Sequence, residues 1–483
     1  MKNVNKLTVA ALLALTALTG CEKFTKGFDI SPNLPLGAST PLLLTASELA
    51  TGLQEETDAS RVAAIWTQQF TGISRQAAGL NVYQTLASDY DSDWANFYQY
   101  TLTNSRLTQQ GADRDKNPFI KGIAQTLEAL SIGHATALWG DIPYSEAIND
   151  KIAKPKFDTQ ADVYARVQTV LADAIVNLNK PGLTPGSADI YFGGSKSAWI
   201  AVANTLRARY YLHVKDYANA ARYAALGIPS AAGNMAMPHP GTADQVDYNL
   251  INSFLDQQRP GDITADTAFA THLLDSQRSN AKTNEDGRLN YFYYPITGTD
   301  AQYATVDYEP NIYDGAFTAS SAYPIVTFEE TQLILAEAKL RLSTANFGDA
   351  LTSLNNVRAY HAGSNSPYAG NGTAKYDAYT AADFATGGIA HGTAANANEA
   401  LLKEILTEKY LSLIGQIEPF NDQRRATTLA GASNLGRSVV GVTPVRGTLL
   451  PQRFLYPQIE VTTNPNTPAQ SATDLFTKTA ANR

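Results

Sequence analysis

The stretch SKSAWIAVANTLRARYYLHVKDYANAARYAALGI, residues 195–228, indicates the fold class of this chain. Its first half carries large apolar side chains at spacings of three and four residues: Trp199, Val202, Leu206 and Tyr210. This spacing places them on one face of an α-helix. After a break near residue 215, Tyr217, Ala220 and Ala224 repeat the pattern. The stretch therefore predicts two short helices that pack as a hairpin, with small residues where they cross.

The same pattern returns in two other places. Phe347 and Ala350 stand three residues apart in LAEAKLRLSTANFGDALTSLNNVRAY, and Tyr144 and Ala147 do so in a second stretch. An aromatic residue followed by such an alanine resembles the second helix of a tetratricopeptide repeat. One hairpin cannot cover its own apolar face, so neighbouring hairpins must stack.

The chain divides into helical segments and long inserts. We predict helical hairpins over about 44–228 and 328–361, and inserts over about 229–327 and 362–398, within a single domain spanning 41–483. The inserts are rich in glycine, proline, asparagine and tyrosine, and 287–300 predicts a strand ending in a turn. Ordered inserts on a helical scaffold commonly carry binding surfaces, although the second insert could equally be a loop without function.

The amino terminus predicts export and lipid attachment. Two lysines precede an uncharged run over 7–19, which is too short to span a bilayer and is typical of a signal peptide. The segment that follows, Leu18-Thr19-Gly20-Cys21, resembles a bacterial lipobox. We therefore predict a lipoprotein signal peptide over 1–20, lipid attachment at Cys21 and a tether over 21–40. The alternative is a leader cysteine of no consequence.

Composition and motifs argue against several classes of protein. A net charge of −8 with 17% charged residues argues against a nucleic-acid binder, which would present a basic face. The six histidines are scattered, and neither a zinc-protease H-E-x-x-H pattern nor a hydrolase G-x-S-x-G pattern occurs. Asp113, Asp115 and Asn117 only partly match a calcium loop. We predict no catalytic residue, no metal and no cofactor.

Four stretches together resemble one family. They are LWGDIPYSEAI (138–148), YPIVTFEETQLILAEAKLR (323–341), EILTEKYLSLIGQIEPFNDQRRA (404–426) and LPQRFLYPQIEVTTNPN (450–466). In this order, after a lipobox, they resemble the SusD/RagB family of nutrient-binding outer-membrane lipoproteins of Bacteroidetes. Read physically, Gly140 can end a helix. Arg424, Arg425 and Arg453 can tie segments together through acidic partners.

The resemblance implies a fold and a function. The fold would be mostly α, with tetratricopeptide-like helical hairpins forming a scaffold for loop-rich inserts. The protein would capture a nutrient, an oligosaccharide or sometimes a peptide, and deliver it to a TonB-dependent transporter of the SusC/RagA type. It would sit at the outer membrane, held by its lipid and facing the cell exterior. A surface glycoside hydrolase and a scaffold lipoprotein without a small ligand remain alternatives.

Candidate ligand contacts follow from the chemistry of sugars. Apolar C–H faces stack on aromatic rings, and hydroxyl groups bond to amide, carboxylate or guanidinium partners. Two stretches combine such residues, and the resemblance implies a site in their regions. The candidates are Arg75, Asn81, Tyr83, Trp94, Tyr98, Tyr291, Tyr293 and Tyr303. The alternative for Trp94 and Tyr98, four residues apart, is that both face a helical core.

Overall fold

Helices make up most of the chain that the computed structural model describes, which comprises residues 38–242, 247–296, 307–342, 345–432 and 434–483. The predicted signal peptide, Cys21, most of the tether and Tyr303 lie outside these residues. Within the described part, Thr40–Arg483 forms one compact unit. The mostly helical fold class is confirmed.

The helices follow one another along the chain with few long gaps before residue 224. They are α1 Thr40–Glu56, α2 Asp58–Trp66, α3 Arg75–Asn81, α4 Asp91–Ala95, α5 Thr103–Arg114, α6 Pro118–Trp139, α7 Gln160–Asn179, α8 Lys196–His213, α9 Tyr217–Ala224, α10 Leu250–Asn252, α11 Phe269–His272, α12 Asp286–Phe292, α13 Phe328–Arg341, α14 Phe347–His361, α15 Ala381–Phe384, α16 Ala397–Ser412, α17 Glu418–Arg425 and α18 Gln458–Thr463. A π-helical segment, Asn96–Leu102, joins α4 to α5.

The long helices stack as neighbours in chain order. Helix α1 packs on α5, α5 on α6, α6 on α7, α7 on α8, α8 on α9, and α9 on α13. Helix α13 then packs on α14 and α16. The pairs α8/α9 and α13/α14 are the two hairpins that the aromatic-to-alanine spacing predicts. Ala220 and Ala350 are fully buried at these contacts, as close packing of helix backbones requires.

For the third predicted hairpin, the prediction of the second helix is wrong. Tyr144 and Ala147 lie in the irregular segment between α6 and α7, where the structure has no helix. The helix that pairs with α6 is α7, and Gln160 at its start donates from Nε2 to the carbonyl of Thr136 at 2.7 Å. An aromatic residue and an alanine three apart are too few residues to distinguish a helix from a loop that buries the same side chains.

Short strands occur mainly in the insert regions. They are β1 Thr71–Gly72, β2 Met235–Met237, β3 Ile263–Thr264, β4 Thr283–Asn284, β5 Tyr293–Ile296, β6 Asp307–Pro310, β7 Tyr323–Val326 and β8 Lys375–Tyr376. They pair antiparallel as β1–β3, β2–β7, β4–β8 and β5–β6. The predicted strand over 287–300 begins only at Tyr293, because the preceding residues form α12 and only 293–296 have a strand partner in the described chain.

The described core has one large cluster that reaches from α1 to the C-terminal segment, and two smaller ones around α13 with its partners α14 and α16, and α8 with α9. Trp199, Val202, Leu206 and Tyr210 are all fully buried, as their spacing predicts. Helix α6 is buried along nearly its whole length, and Gly133 in it leaves room for the ring of Tyr210 on α8. Among the described helices, none has the length and apolar character needed to cross a membrane.

Candidate functional site

A cleft of about 290 Å³ lies between α2, α3 and the segment 254–263, and we call it the arginine cleft. Three arginines, three aspartates and one phenylalanine line it, together with apolar residues at its base: Arg61, Arg75, Arg259, Asp58, Asp89, Asp262 and Phe254. The first wall comes from helices near the start of the fold and the second from the first insert. The cleft therefore joins the scaffold to the insert, as the family resemblance implies for a ligand site.

Backbone pairing holds the two walls together. Thr71 pairs with Thr264 and Gly72 with Ile263 in the β1–β3 ladder. The amide of Ile73 donates to the carbonyl of Asp262 at 2.9 Å, just before α3 begins. This pairing sets the position of Arg75, the first residue of α3, against the insert.

One ion pair crosses the cleft, and a second lies within α2. Arg75 donates from Nε to Oδ1 of the buried Asp262 at 2.5 Å and from Nη2 to the carbonyl of Pro260 at 2.9 Å. Arg61 pairs with Asp58, and its guanidinium lies 3.9 Å from the ring centre of Phe254. A guanidinium has five N–H donors in a fixed fork. Arg75 remains about half exposed, so it can donate to a ligand while its ion pair holds it in place.

Two exposed tyrosines of the same insert lie side by side with their ring planes inclined at 56°, and we call them the tyrosine pair. The rings of Tyr294 and Tyr313 lie 4.6 Å apart between centroids, and the residues are 38% and 57% exposed. The hydroxyl of Tyr313 donates to Glu309 at 2.6 Å. That bond, partial burial and the charges of Glu309 and Asp256 raise the pKa of Tyr313 to about 12. Asp256 lies on the same short helical segment as Phe254 of the cleft, so the tyrosine pair and one wall of the cleft belong to the same insert.

The structure turns Tyr293 away from solvent. Tyr293 is fully buried, and its hydroxyl donates to the carbonyl of Gln69 at 2.9 Å. Side chains alternate between the faces of a strand, so the next residue along β5, Tyr294, points out. The sequence reasoning missed Tyr294 and Tyr313. If the sequence had shown that the strand begins at residue 293, the alternation of side chains would have predicted that Tyr294 is exposed. The start of the strand, however, depends on its pairing with β6.

The other candidates of the early stretch are mostly buried. Trp94 and Tyr98 stack at 4.4 Å, and Trp94 donates from Nε1 to Glu460 at 3.2 Å. The hydroxyl of Tyr98 donates to the carbonyl of Pro143 at 2.8 Å. Tyr83 is buried and accepts a hydrogen bond from the amide of Val445 at 2.9 Å. These rings present almost no surface to a ligand.

Two further candidates are half-buried, at separate places. Asn81 closes α3, and Tyr291 lines a different cavity, beside Glu329. Of the seven predicted contacts that lie within the described residues, only Arg75 lines the arginine cleft.

The motif arginines act as structural ties. Arg425 pairs with Glu337 at 2.7 Å and with Asp422 at 2.5 Å, all in the core. Arg424 donates instead to backbone carbonyls, of Ala137 at 2.8 Å and of Gln452 at 3.0 Å. Arg453 likewise donates to a carbonyl, that of Phe454.

The three residues that partly match a calcium loop make other contacts. Lys121 pairs with Asp113 at 2.7 Å, and the hydroxyl of Thr40 donates to Asp115 at 2.5 Å. Asn117 caps the start of α6 by accepting from the amide of Ile120 at 3.4 Å. Over the described residues, no cluster of three or more histidine, cysteine, aspartate or glutamate side chains could hold a metal ion.

Comparison with known proteins identifies relatives by sequence and by fold. The model of a SusD-like family, described as starch-binding and associating with the outer membrane, matches residues 33–457. No curated protein matches the chain.

Several solved structures share the fold. A SusD homologue from Parabacteroides distasonis ATCC 8503 is 16% identical, with a TM-score of 0.68 over 92% of this chain and 98% of that one. A SusD/RagB family protein from Bacteroides thetaiotaomicron VPI-5482 is 20% identical, with a TM-score of 0.66 over 92% and 97%. A chitin-binding SusD homologue from Flavobacterium johnsoniae is 18% identical, with a TM-score of 0.62 over 87% and 93%.

Proposed function

The chain belongs to the SusD-like family, described as starch-binding and associating with the outer membrane, and we propose that it binds a glycan nutrient at the tyrosine pair and the arginine cleft. The observation that carries this proposal is the tyrosine pair, two exposed aromatic faces on the insert that also forms one wall of the arginine cleft. A solved relative of the same fold is described as chitin-binding.

The chemistry of the site suits a sugar chain. The C–H face of a pyranose ring covers an aromatic ring and removes apolar surface from water. The Tyr313 hydroxyl is tied to Glu309, so little side-chain entropy is lost when a sugar stacks on that ring. Arg75 and Arg61 can then donate to sugar hydroxyls from positions that Asp262 and Asp58 already fix.

We further propose that the glycan is bound without being cleaved. A glycosidase places two carboxyl groups across the scissile bond, one of them protonated. The cleft aspartates are instead engaged as acceptors: Asp262 with Arg75, Asp58 with Arg61, and Asp89 with the side chain of Gln76 at 3.2 Å and the amide of Leu86 at 2.8 Å. Each cleft aspartate is thus already bonded to neighbouring groups rather than free to act on a bound sugar.

The wider role follows from the amino terminus and the family. The lipobox at Leu18–Cys21 supports a lipid anchor on Cys21, and acyl chains hold a globular domain on a membrane. We propose that the protein sits at the outer membrane, facing the cell exterior, and passes its glycan to a TonB-dependent transporter of the SusC/RagA type.

The binding role is tested with a double substitution of the tyrosine pair. We expect the wild-type protein to bind maltoheptaose or chitohexaose by isothermal titration calorimetry. Tyr294→Ala with Tyr313→Ala should weaken that binding at least tenfold, since the loss of two stacking faces costs about 1.4 kcal/mol or more. Tyr100→Ala is the matched control, because Tyr100 is similarly exposed, at 42%, on the scaffold helices.

Two outcomes would contradict the proposal. If the double variant and the control bind the glycan with equal affinity, the tyrosine pair is not part of the binding site. New reducing ends, appearing when purified protein is incubated with the glycan, would favour a hydrolase.

A further inference from the structure

A second cavity, of about 210 Å³, lies between the first insert and helices α13, α14 and α16. We call it the Glu329 cavity. Ala322, at its edge, is exposed, and Pro324 and Pro367 beside it are half-buried, so the cavity opens to solvent there. Its volume equals that of about seven water molecules at ~30 Å³ each, which is enough for one small ring with its substituents.

The cavity contains a carboxylate without a cation. Glu329 is the second residue of α13 and is buried. Its Oε2 has no hydrogen-bond partner, and among the described residues no basic side chain forms an ion pair with it. Arg288, whose charge reaches it, already pairs with Glu285 at 3.3 Å and with Glu408 at 2.5 Å.

Aromatic rings surround that carboxylate. Burial raises the pKa values of Tyr291, Tyr360 and Tyr368, and the nearby charge of Glu329 raises all three further. The three phenols are therefore close to the carboxylate. The rings of Tyr291 and Tyr368 lie 5.6 Å apart between centroids.

One amide completes the lining. The buried Nε2 of Gln416 has no hydrogen-bond partner either. A ligand that fills the cavity would thus meet an unpaired acceptor, an unpaired donor and aromatic faces.

We propose that the Glu329 cavity binds the protonated amino group of a small ligand, such as an amino sugar. An ammonium group supplies the charge-assisted hydrogen bond that Glu329 lacks. Cations are also attracted to the faces of aromatic rings, most strongly where water is excluded. Gln416 donates to an oxygen next to the amino group. Burial raises the pKa of Glu329 and so favours its neutral form. An ammonium group stabilises the ionised form and a neutral sugar does not, so the site discriminates by charge.

This site is separate from the arginine cleft and does not rest on the function proposed there. Glycan binding at the tyrosine pair can fail while amine binding persists, and the reverse also holds. The Tyr294/Tyr313 double variant should therefore bind the amine as the wild-type protein does.

The test compares D-glucosamine with D-glucose and N-acetyl-D-glucosamine by isothermal titration calorimetry at neutral pH. We expect D-glucosamine to bind at least tenfold more tightly than the two uncharged sugars. Nα-acetyl-lysine amide serves as a second amine and shows whether the site prefers an amino sugar or a lysine side chain. Glu329→Gln keeps the shape of the side chain, and it should weaken amine binding at least tenfold without lowering the melting temperature.

A second variant blocks the cavity without touching Glu329. Ala322→Trp at the opening should weaken D-glucosamine binding at least tenfold, whereas Ala369→Trp, at an exposed neighbouring position outside the lining, should not. The proposal is wrong if D-glucose binds as well as D-glucosamine, if Glu329→Gln changes nothing, or if no amine binds at millimolar concentration. The last result would leave a cavity that holds only water.

Discussion

Asp93, in α4, carries a carboxylate that folding removes completely from water. It is fully buried, and neither of its oxygens has a hydrogen-bond partner. Burial, and after it the charge of Asp58, raises the pKa of Asp93 well above its ordinary value of 3.8. Since Asp58 also lines the arginine cleft, Asp93 lies close to the proposed site.

The raised pKa predicts how stability depends on pH at this residue. The folded state prefers neutral Asp93, so the stabilisation is complete below pH 3.8 and is lost as pH rises through the folded pKa. Asp93→Asn is neutral at every pH. We expect it to raise the free energy of unfolding at pH 8 by about 1–3 kcal/mol, the cost of a buried unsatisfied group, and by much less at pH 4.

Urea denaturation at both pH values measures this difference. Asp150→Asn, at an exposed position, is the control and should change stability little at either pH. A gain for Asp93→Asn that is the same at pH 4 and pH 8 would show that the ionised carboxylate is not the cause.

Residue-scale reasoning from sequence uses only local chemistry. It identified Arg75, now found in the arginine cleft, from its type and neighbours alone. It did not identify Tyr313 or Glu329, because a sequence does not show which ring stays exposed or which carboxylate loses its partner. Those properties depend on residues far apart in the chain.

At the scale of elements, helix α6 ends where the sequence predicts. Gly140 follows Trp139 with a φ of 89°, a left-handed conformation that an L-residue adopts at a cost. The next residue, Asp141, accepts from the amide of Gln160 at 2.8 Å and so helps to start α7. The turn between these paired helices thus depends on two adjacent residues.

Gly140→Ala tests the conformational cost of a side chain at this backbone position alone. A Cβ there would meet Thr479 only at an ordinary contact distance of 3.5 Å, so the expected cost is conformational. We expect the free energy of unfolding to fall by about 1–2 kcal/mol. Gly348→Ala in α14, which has open space and an ordinary φ, should be neutral or stabilising by up to about 1 kcal/mol.

Chemical denaturation of both variants measures the two changes in the free energy of unfolding. Equal effects of the two substitutions would mean that the left-handed conformation at 140 is not what ends α6.

At the scale of the whole molecule, one buried ionic network joins five helices. It links α1, α6, α8, α13 and α17 through Glu55, His134, Arg209, His213, Glu330 and Glu418. His134 lies at its centre, 2.8 Å from Glu55 and 3.1 Å from Glu418. Burial lowers the pKa of His134, but the charge of Glu55 and the hydrogen bonds that both glutamates accept from the imidazolium outweigh this effect and raise the pKa to about 9.

The network predicts a second pH dependence, with the same sign as that of Asp93, because both contributions to stability are lost as pH rises. Protonated His134 stabilises the fold fully below pH 6.5, and that contribution is lost as pH rises through about 9. His134→Gln should lower the free energy of unfolding by about 3 kcal/mol at pH 6, because a buried charge pair is broken. The gap to the wild-type protein should narrow by pH 10.

Chemical denaturation at pH 6 and pH 10 measures the difference in the free energy of unfolding between His134→Gln and the wild-type protein. His272→Gln, at an exposed position, is the control. A gap that does not change with pH would mean that His134 is held neutral and acts by packing alone.

The sequence by itself determined the helical class, the family and the two hairpins α8/α9 and α13/α14. The helical class and the hairpins depend on residues three and four apart, which an α-helix brings together, and the family depends on four short stretches that can be read in order. The tertiary structure alone decided the partner of α6, the outward position of Tyr294 and the walls of both cavities. Each of these joins segments that lie far apart in sequence, and burial, ion pairing and strand register exist only once such segments meet.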